Sequence, residues 1–387
     1  MSNSAGELWI TGMGSVCAHG AGIPVLHHAL AEGRSGLSTF TAESLPLAAR
    51  LPVGRVTVPL PPYARTTALA LVAAREALAG ARLRDAALLV GTTTGGMLAS
   101  EAAYLAHPPG PQAAYAAQPA HSITELLARR LGLGGPLSTH AEACAAGACA
   151  LAEAAEWLRH GLCGAALVVG SDVLTRLTMA GFNALQVADP AGCRPFTVER
   201  SGMSLGEGAA AVLVERADHA HARGARPLAR LLGWGIAADA HHQTAPEPDG
   251  RYLERALRTA LTHAQVPAAA VDWIHAHGTG TRDNDRTEAA ALARVCGTVP
   301  VSSSKRVTGH TLGAAALFGT VAACLALRHG QRFPSAGACA GTRMSEIAVV
   351  SALQTVPVRH VAVTCLAFGG VDAALLLGGV GGVGGAT

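Results

Sequence analysis

The chain has 387 residues, half of them apolar and 14% charged, with a formal net charge of +3. That composition excludes a disordered or coiled-coil chain, and the length calls for two packed halves rather than one core. The small charge and the lack of basic runs interleaved with aromatics exclude a nucleic-acid binder. The longest apolar stretch, Gly313 to Leu327, is too short for a membrane span.

Nine cysteines, an odd number with no C-x-x-C pair, argue against a disulfide framework or a structural zinc site. Seventeen histidines include no H-E-x-x-H, and His241-His242 are adjacent and do not share a helix face, so no metal is expected. Met1 to Trp9 lacks the charged and apolar regions of a signal peptide, which predicts a cytoplasmic protein.

In chain order, Leu8-Trp-Ile-Thr11 reads as a strand closed by Gly12-Met-Gly14, and Ile23 to Glu32 as a helix. Thr66 to Ala79 has a helical pattern. The apolar run Ala86 to Val90 is a buried strand opening into Gly91-Thr-Thr-Thr-Gly-Gly96, which lacks the lysine and spacing of a phosphate loop. His121 to Arg130 is a helix. Pro136 to His140 has strand character, and an Ala-rich helix after Cys144 stops at Gly161. Ala165 to Val169 and Ala209 to Val214 are further strands. Gly224 to Pro227, polar and turn-prone, marks a boundary between halves 1–225 and 226–387. Strands then follow over Leu228 to Trp234, Trp273 to Ala276, Val299 to Ser302, Ile347 to Val350, Val361 to Cys365 and Ala373 to Leu377. Helices fall over Tyr252 to Ala264, Thr287 to Val295 and Gly313 to Arg328, and the Gly-rich tail from Gly378 to Thr387 is expected to be flexible. The alternation predicts an α/β fold with buried sheets.

One pattern occurs twice. Pro136-Leu-Ser-Thr leads through a loop and an Ala-rich helix to Leu158-Arg-His-Gly161, and Pro300-Val-Ser-Ser leads the same way to Leu327-Arg-His-Gly330. A duplicated unit follows, with the loop after Ser304 opposite the Cys144 turn and two helix N-termini at one cleft.

Cys144, in Glu142-Ala-Cys-Ala-Ala-Gly147, sits on a strand-to-helix turn where free N–H groups and the helix dipole favour a thiolate. A small buried hydrophobe is the alternative reading of a lone cysteine, so its partners decide. Trp273-Ile-His-Ala-His277-Gly-Thr-Gly-Thr281 and Ser302-Ser-Ser-Lys305-Arg-Val-Thr-Gly-His310 each set a histidine on a loop after an apolar strand. Leu366-Ala-Phe368-Gly-Gly370 leaves backbone N–H groups free. Together these fit carbon–carbon chemistry on thioesters: a thiolate to take an acyl group, N–H donors for an oxyanion, and neutral imidazoles for an enolate.

These motifs, with Arg194-Pro-Phe196, Gly202 to Gly208 and Asp239 to Pro246 in the same order, resemble the β-ketoacyl-acyl carrier protein synthases of the thiolase superfamily. The resemblance spans about Leu8 to Leu377, and the His277–His310 pair matches the two-His elongating type. It implies the five-layer αβαβα thiolase fold with two pseudo-duplicated halves, the first carrying the nucleophile and the second the histidines and lysine. Cys144, His277, His310 and Lys305 would be catalytic, and the N–H groups of Cys144 and Phe368 would form the oxyanion hole. Thr279, Thr281, Phe368 and Thr94 would meet the phosphopantetheine arm or the acyl chain. No cofactor is implied, because phosphopantetheine arrives on an acyl carrier protein. The implied partners are that carrier and either a second copy or a chain-length-factor-like subunit, with no membrane.

The chain also departs from the family. Gly319 stands where the helix after the second histidine usually carries a glutamate that pairs with the lysine, leaving Lys305 to find Asp285, Glu288 or water. The gate loop reads Leu366-Ala-Phe-Gly-Gly-Val-Asp372. Leu177 to Gln186 and Asn284-Asp285 resemble aryl-polyene and type II polyketide ketosynthases. The rivals are a non-condensing chain-length-factor-like subunit, which typically lacks the cysteine, and a coenzyme A-dependent thiolase.

Overall fold

The first strand does not stop at its glycines. In the computed structural model, which describes residues 6–40, 51–106, 115–339 and 343–380, β1 runs over Leu8–Cys17. A Cβ at Gly12 would lie 1.9 Å from the carbonyl oxygen of Ala77, and one at Gly14 would lie 2.0 Å from that of Ala73. Both residues sit on α1 (Arg65–Leu78), so bare backbone here lets the helix press onto the strand rather than turning the chain. The first five residues and the last seven of the glycine-rich tail, on which two sequence expectations rest, lie outside the described residues.

The remaining principal strands are β2 (Ala87–Gly91), β3 (Leu137–His140), β4 (Ala165–Asp172), β5 (Gly208–Arg216), β6 (Ala229–Ala238), β7 (Trp273–His275), β8 (Pro300–Ser302), β9 (His360–Leu366) and β10 (Val371–Gly378). The first half is ordered β3-β2-β4-β5-β1 and the second β8-β7-β9-β10-β6. In each half the second strand is parallel to the third and fourth, and the last two pairings are antiparallel. The same order and the same directions in both halves are the pseudo-duplication itself. Antiparallel pairing of Leu8–Ile10 with Ala229–Leu231 joins the two into one large sheet.

Five layers result. Helix α1 covers the outer face of the first half, and α2 (Ala146–Arg159) lies between the halves. On the outer face of the second half sit α3 (Arg251–Ala264) and α4 (Arg282–Cys296), while α5 (Ala315–His329) shares the middle layer with α2. Cys144 belongs to the central apolar cluster, with alanines and leucines of both middle helices. With its preceding turn, the last helix makes an apolar stretch, Leu312–His329, long enough to cross a membrane, longer than the sequence suggested. It is 83% buried inside the fold.

Differences from the sequence reading have local causes. Helix α4 begins at Arg282, well before Thr287, because Asp283 and Asp285 suit its first turn while Asn284, Asp285 and Glu288 point inward, against the apolar period. Arg176–Ala184 is a helix opened by a Thr175–Thr178 capping box, and Lys305–Thr308 forms a single helical turn where a loop was expected.

Candidate active site

Strand β3 delivers the chain to a 3-10 turn, Ala143–Ala145, that opens into α2. Ala143 is left-handed at φ 45°, a conformation that costs a non-glycine residue about 1 kcal/mol and swings Cys144 to the head of the helix. The second half repeats the device. Leu312 at φ 49° starts the 3-10 turn Leu312–Ala314 before α5, and Gly313 stands where Cys144 stands in the first. The two turns pack together, so both helix N-termini meet at the cleft.

Two imidazoles converge on the sulfur. His310 Nε2 is 3.1 Å from Cys144 Sγ, and the rings of His277 and His310 meet edge to face, 5.2 Å apart. Their tautomers are set from behind. The Leu312 N–H donates to His310 Nδ1 at 3.3 Å, and Lys305 Nζ donates to His277 Nδ1 at 3.3 Å. With each Nδ1 accepting, each Nε2 carries the proton and presents an N–H to the cleft. Cys144, His277 and His310 hold their ligating atoms within 4.8 Å of one another. In these tautomers the trio offers N–H donors to an oxygen rather than lone pairs to a cation.

Lys305 finds neither Asp285 nor Glu288. Its ammonium donates to the carbonyl oxygen and Nδ1 of His277. Glu288 instead organises the backbone of the histidine loop, accepting from the N–H of His277 at 2.7 Å, the N–H of Gly278 at 2.8 Å and the Thr364 hydroxyl at 2.6 Å. Asp285 accepts from the N–H groups of Phe196 and Gly280. The N–H groups of Phe368 and of Cys144 itself face the sulfur. Phe368 stacks on Phe182 at 5.5 Å.

Thr279 and Thr281 share a hydroxyl–hydroxyl hydrogen bond of 2.9 Å and line a cavity of about 480 Å³. Cys144, His277, His310, Phe182 and Phe368 line it too, and its rim includes exposed Leu185, Gln186, Arg282 and Asp283. Thr94 lies outside this cavity: its N–H and its hydroxyl both donate to Asp172 Oδ1 at 2.7 Å.

Three residues that sequence reasoning passed over shape the site. The Cys365 thiol donates to the Cys144 carbonyl at 3.0 Å and lies 3.5 Å from His277 Nδ1. Asp172, fully buried, accepts from the N–H of Gly313 at 2.7 Å as well as from the 92–94 loop. His275 is buried, with its Nε2 3.0 Å from the hydroxyl of Ser304, the residue before Lys305. Only the position of Cys365, just before the Leu366-to-Gly370 loop, could have signalled any of them.

The electrostatics reverse one expectation. Burial pushes the Cys144 thiol up to about 11, against the pull of Lys305 and of the Phe368 N–H, so the free enzyme stores the thiol rather than the thiolate. Burial first, and then the Lys305 charge, hold His277 and His310 well below the usual imidazole range, so both stay neutral. Alkylation of Cys144 by iodoacetamide should therefore accelerate about tenfold per pH unit from about pH 7 to about pH 10. A plateau reached below about pH 9 would mean that the helix N-terminus outweighs burial.

The chain matches the model of the beta-ketoacyl synthase N-terminal domain over residues 63–220 and that of the C-terminal domain over residues 228–338. Nodulation protein E of Rhizobium sp. (strain N33) is 34% identical over 354 residues, covering 84% of this chain and 87% of that protein. Among solved structures, the ishigamide ketosynthase/chain length factor superposes with a TM-score of 0.88 at 31% identity, over 97% of this chain and 99% of the other. A type II PKS acyl-carrier protein in complex with its ketosynthase bound to the hexaketide gives a TM-score of 0.87 at 25% identity, with the same coverage.

Proposed function

This chain belongs to the beta-ketoacyl synthase family, and we propose that it joins an acyl group held on Cys144 to the two-carbon unit left when malonyl-acyl carrier protein loses carbon dioxide. It is a condensing acyltransferase of the thiolase fold. The observation that carries the residue assignment is one thiol flanked by two Nε2–H imidazoles and two backbone N–H groups at the end of a single cavity.

In the first step Cys144 attacks the acyl-carrier thioester, and its proton leaves on the departing pantetheine sulfur. The N–H groups of Cys144 and Phe368 hold the oxyanion. In the second, malonyl thioester enters past Thr279 and Thr281, and its carbonyl oxygen takes hydrogen bonds from His277 and His310. Carbon dioxide departs and leaves an enolate on that oxygen. Its carbon attacks the acyl carbonyl, the tetrahedral oxyanion returns to the same N–H pair, and collapse expels the Cys144 thiolate, which takes a proton from solvent water. Lys305 keeps His277 in the donor tautomer throughout. Both thioesters travel on the phosphopantetheine arm of a carrier protein, so the chain holds no cofactor of its own.

The partner beyond the carrier is a second copy or a chain-length-factor-like subunit, in fatty acid, polyketide or aryl-polyene synthesis. Support comes from the likeness to a ketosynthase/chain length factor and to a ketosynthase complexed with its carrier protein. A cytoplasmic location fits the eight buried cysteines, which stand as thiols with no disulfide among them.

Incubation with acyl-carrier protein should add the acyl mass to the peptide containing Cys144, and malonyl-carrier protein should then release carbon dioxide and yield the β-ketoacyl product. No mass gain would favour the non-condensing rival. Condensation without carbon dioxide release would favour the thiolase.

A further inference from the structure

A third buried imidazole lies under the catalytic layer. His275, the last residue of β7, is fully buried, and its Nε2 is 3.0 Å from Ser304 Oγ. Ser304 precedes the Lys305–Thr308 turn, and its carbonyl accepts the N–H groups of Val307 and Thr308. Holding Ser304 therefore holds the turn from which Lys305 reaches His277. The opposite edge of the His275 ring faces α5 at Gly319. A Cβ built there would lie 2.7 Å from His275 Nδ1 and 2.8 Å from Val363 Cγ1. Any side chain at 319 would have to displace the imidazole.

Among the described residues Lys305 has no carboxylate within ion-pair distance, and Glu288 acts on it only from further off. Its placement rests on the turn and on His277. We infer that His275 and Gly319 are a matched pair, a buried imidazole and the cradle that admits it, and that His275 is a positioning residue seating Lys305 beneath His277. The polarity of the ring matters as well as its bulk. An apolar filler would leave the buried Ser304 hydroxyl without its partner, whereas a neutral imidazole satisfies it and adds no charge beside the lysine. Burial and Lys305 push His275 down to about 3, so it is neutral at any working pH.

This inference rests on the condensing activity proposed above, so wild-type enzyme must first show Cys144-dependent condensation; its failure to do so would count against that activity alone. Steady-state kinetics with acyl- and malonyl-carrier proteins then compare His275→Gln, His275→Leu, Gly319→Ala, His275→Ala and the Gly319→Ala/His275→Ala double variant. His275→Leu and Gly319→Ala should each lower kcat about tenfold with KM nearly unchanged, because neither residue lines the cavity beside Cys144, Thr279 and Thr281. His275→Gln, whose amide reaches toward Ser304, should recover kcat to within about threefold of wild type. The double variant should be no slower than His275→Ala, since the new methyl then has room. Equal kcat for the Gln and Leu variants, or strictly additive losses in the double variant, would overturn the inference. If Gly319→Ala does not melt cooperatively, the Gln and Leu comparison decides alone.

Discussion

Replacing Cys144 with alanine should lower condensation at least about 10³-fold while leaving decarboxylation of malonyl-carrier protein running. In the proposed reaction the thiol is the acceptor of the acyl group, and no other described sulfur takes its place. Cys365 points its S–H at the Cys144 carbonyl and lies outside the cavity. Carbon dioxide loss, by contrast, needs only donors for the enolate oxygen, and the Nε2–H groups of His277 and His310 survive the change. Their protons are fixed by Lys305 and the Leu312 N–H, not by the sulfur. His310→Ala is the converse: acyl transfer to Cys144 persists, and carbon dioxide release falls about 10²- to 10³-fold with the loss of one enolate donor. Release of labelled carbon dioxide and acyl-enzyme mass, measured on both variants, separate the two steps. Chain extension retained by Cys144→Ala would remove this cysteine from the mechanism.

Asp172→Ala should be the most damaging change away from the reacting atoms. Its carboxylate is fully buried and accepts from the N–H groups of Thr93, Thr94 and Gly313 and from the hydroxyls of Thr92 and Thr94, tying the 92–94 loop to the turn before α5. Each buried donor left without a partner costs about 1–3 kcal/mol, so a loss of about 3 kcal/mol or more is expected in urea unfolding. Activity should fall with it, because the Gly313 turn is continuous with the Leu312 N–H that sets the His310 tautomer. Asp172→Asn, which keeps an acceptor oxygen, should fall between the two. A midpoint for Asp172→Ala indistinguishable from wild type would show that these hydrogen bonds are replaced.

What the sequence made legible was whatever repeats or clusters locally. Cys144 before an Ala-rich helix, His277 and His310 on loops after strands, and the doubled Pro-to-His-Gly pattern are short-range signals, and the fold joins them at one cleft. What stayed hidden depends on contacts across the chain. Asp172 meets Gly313 from 141 residues away, and His275 meets Gly319 from the neighbouring layer. Gly12 and Gly14 look like a turn until the helix they accommodate is in place. The thiolate expected at a helix N-terminus was misjudged for the same reason. Burial, which decides the thiol's protonation, exists only once the middle layer has closed over it.

The paired turns have one more consequence. By its repeated architecture the body holds two equivalent seats for negative charge, one at the head of each central helix. The chain occupies the second from its own sequence, with the Asp172 carboxylate on the Gly313 N–H, and in the proposed reaction the first is left for the oxyanion of a passing thioester. An architecture symmetric in its backbone is thereby made one-handed in its chemistry, and on the proposed mechanism each polypeptide hosts a single growing product at a time.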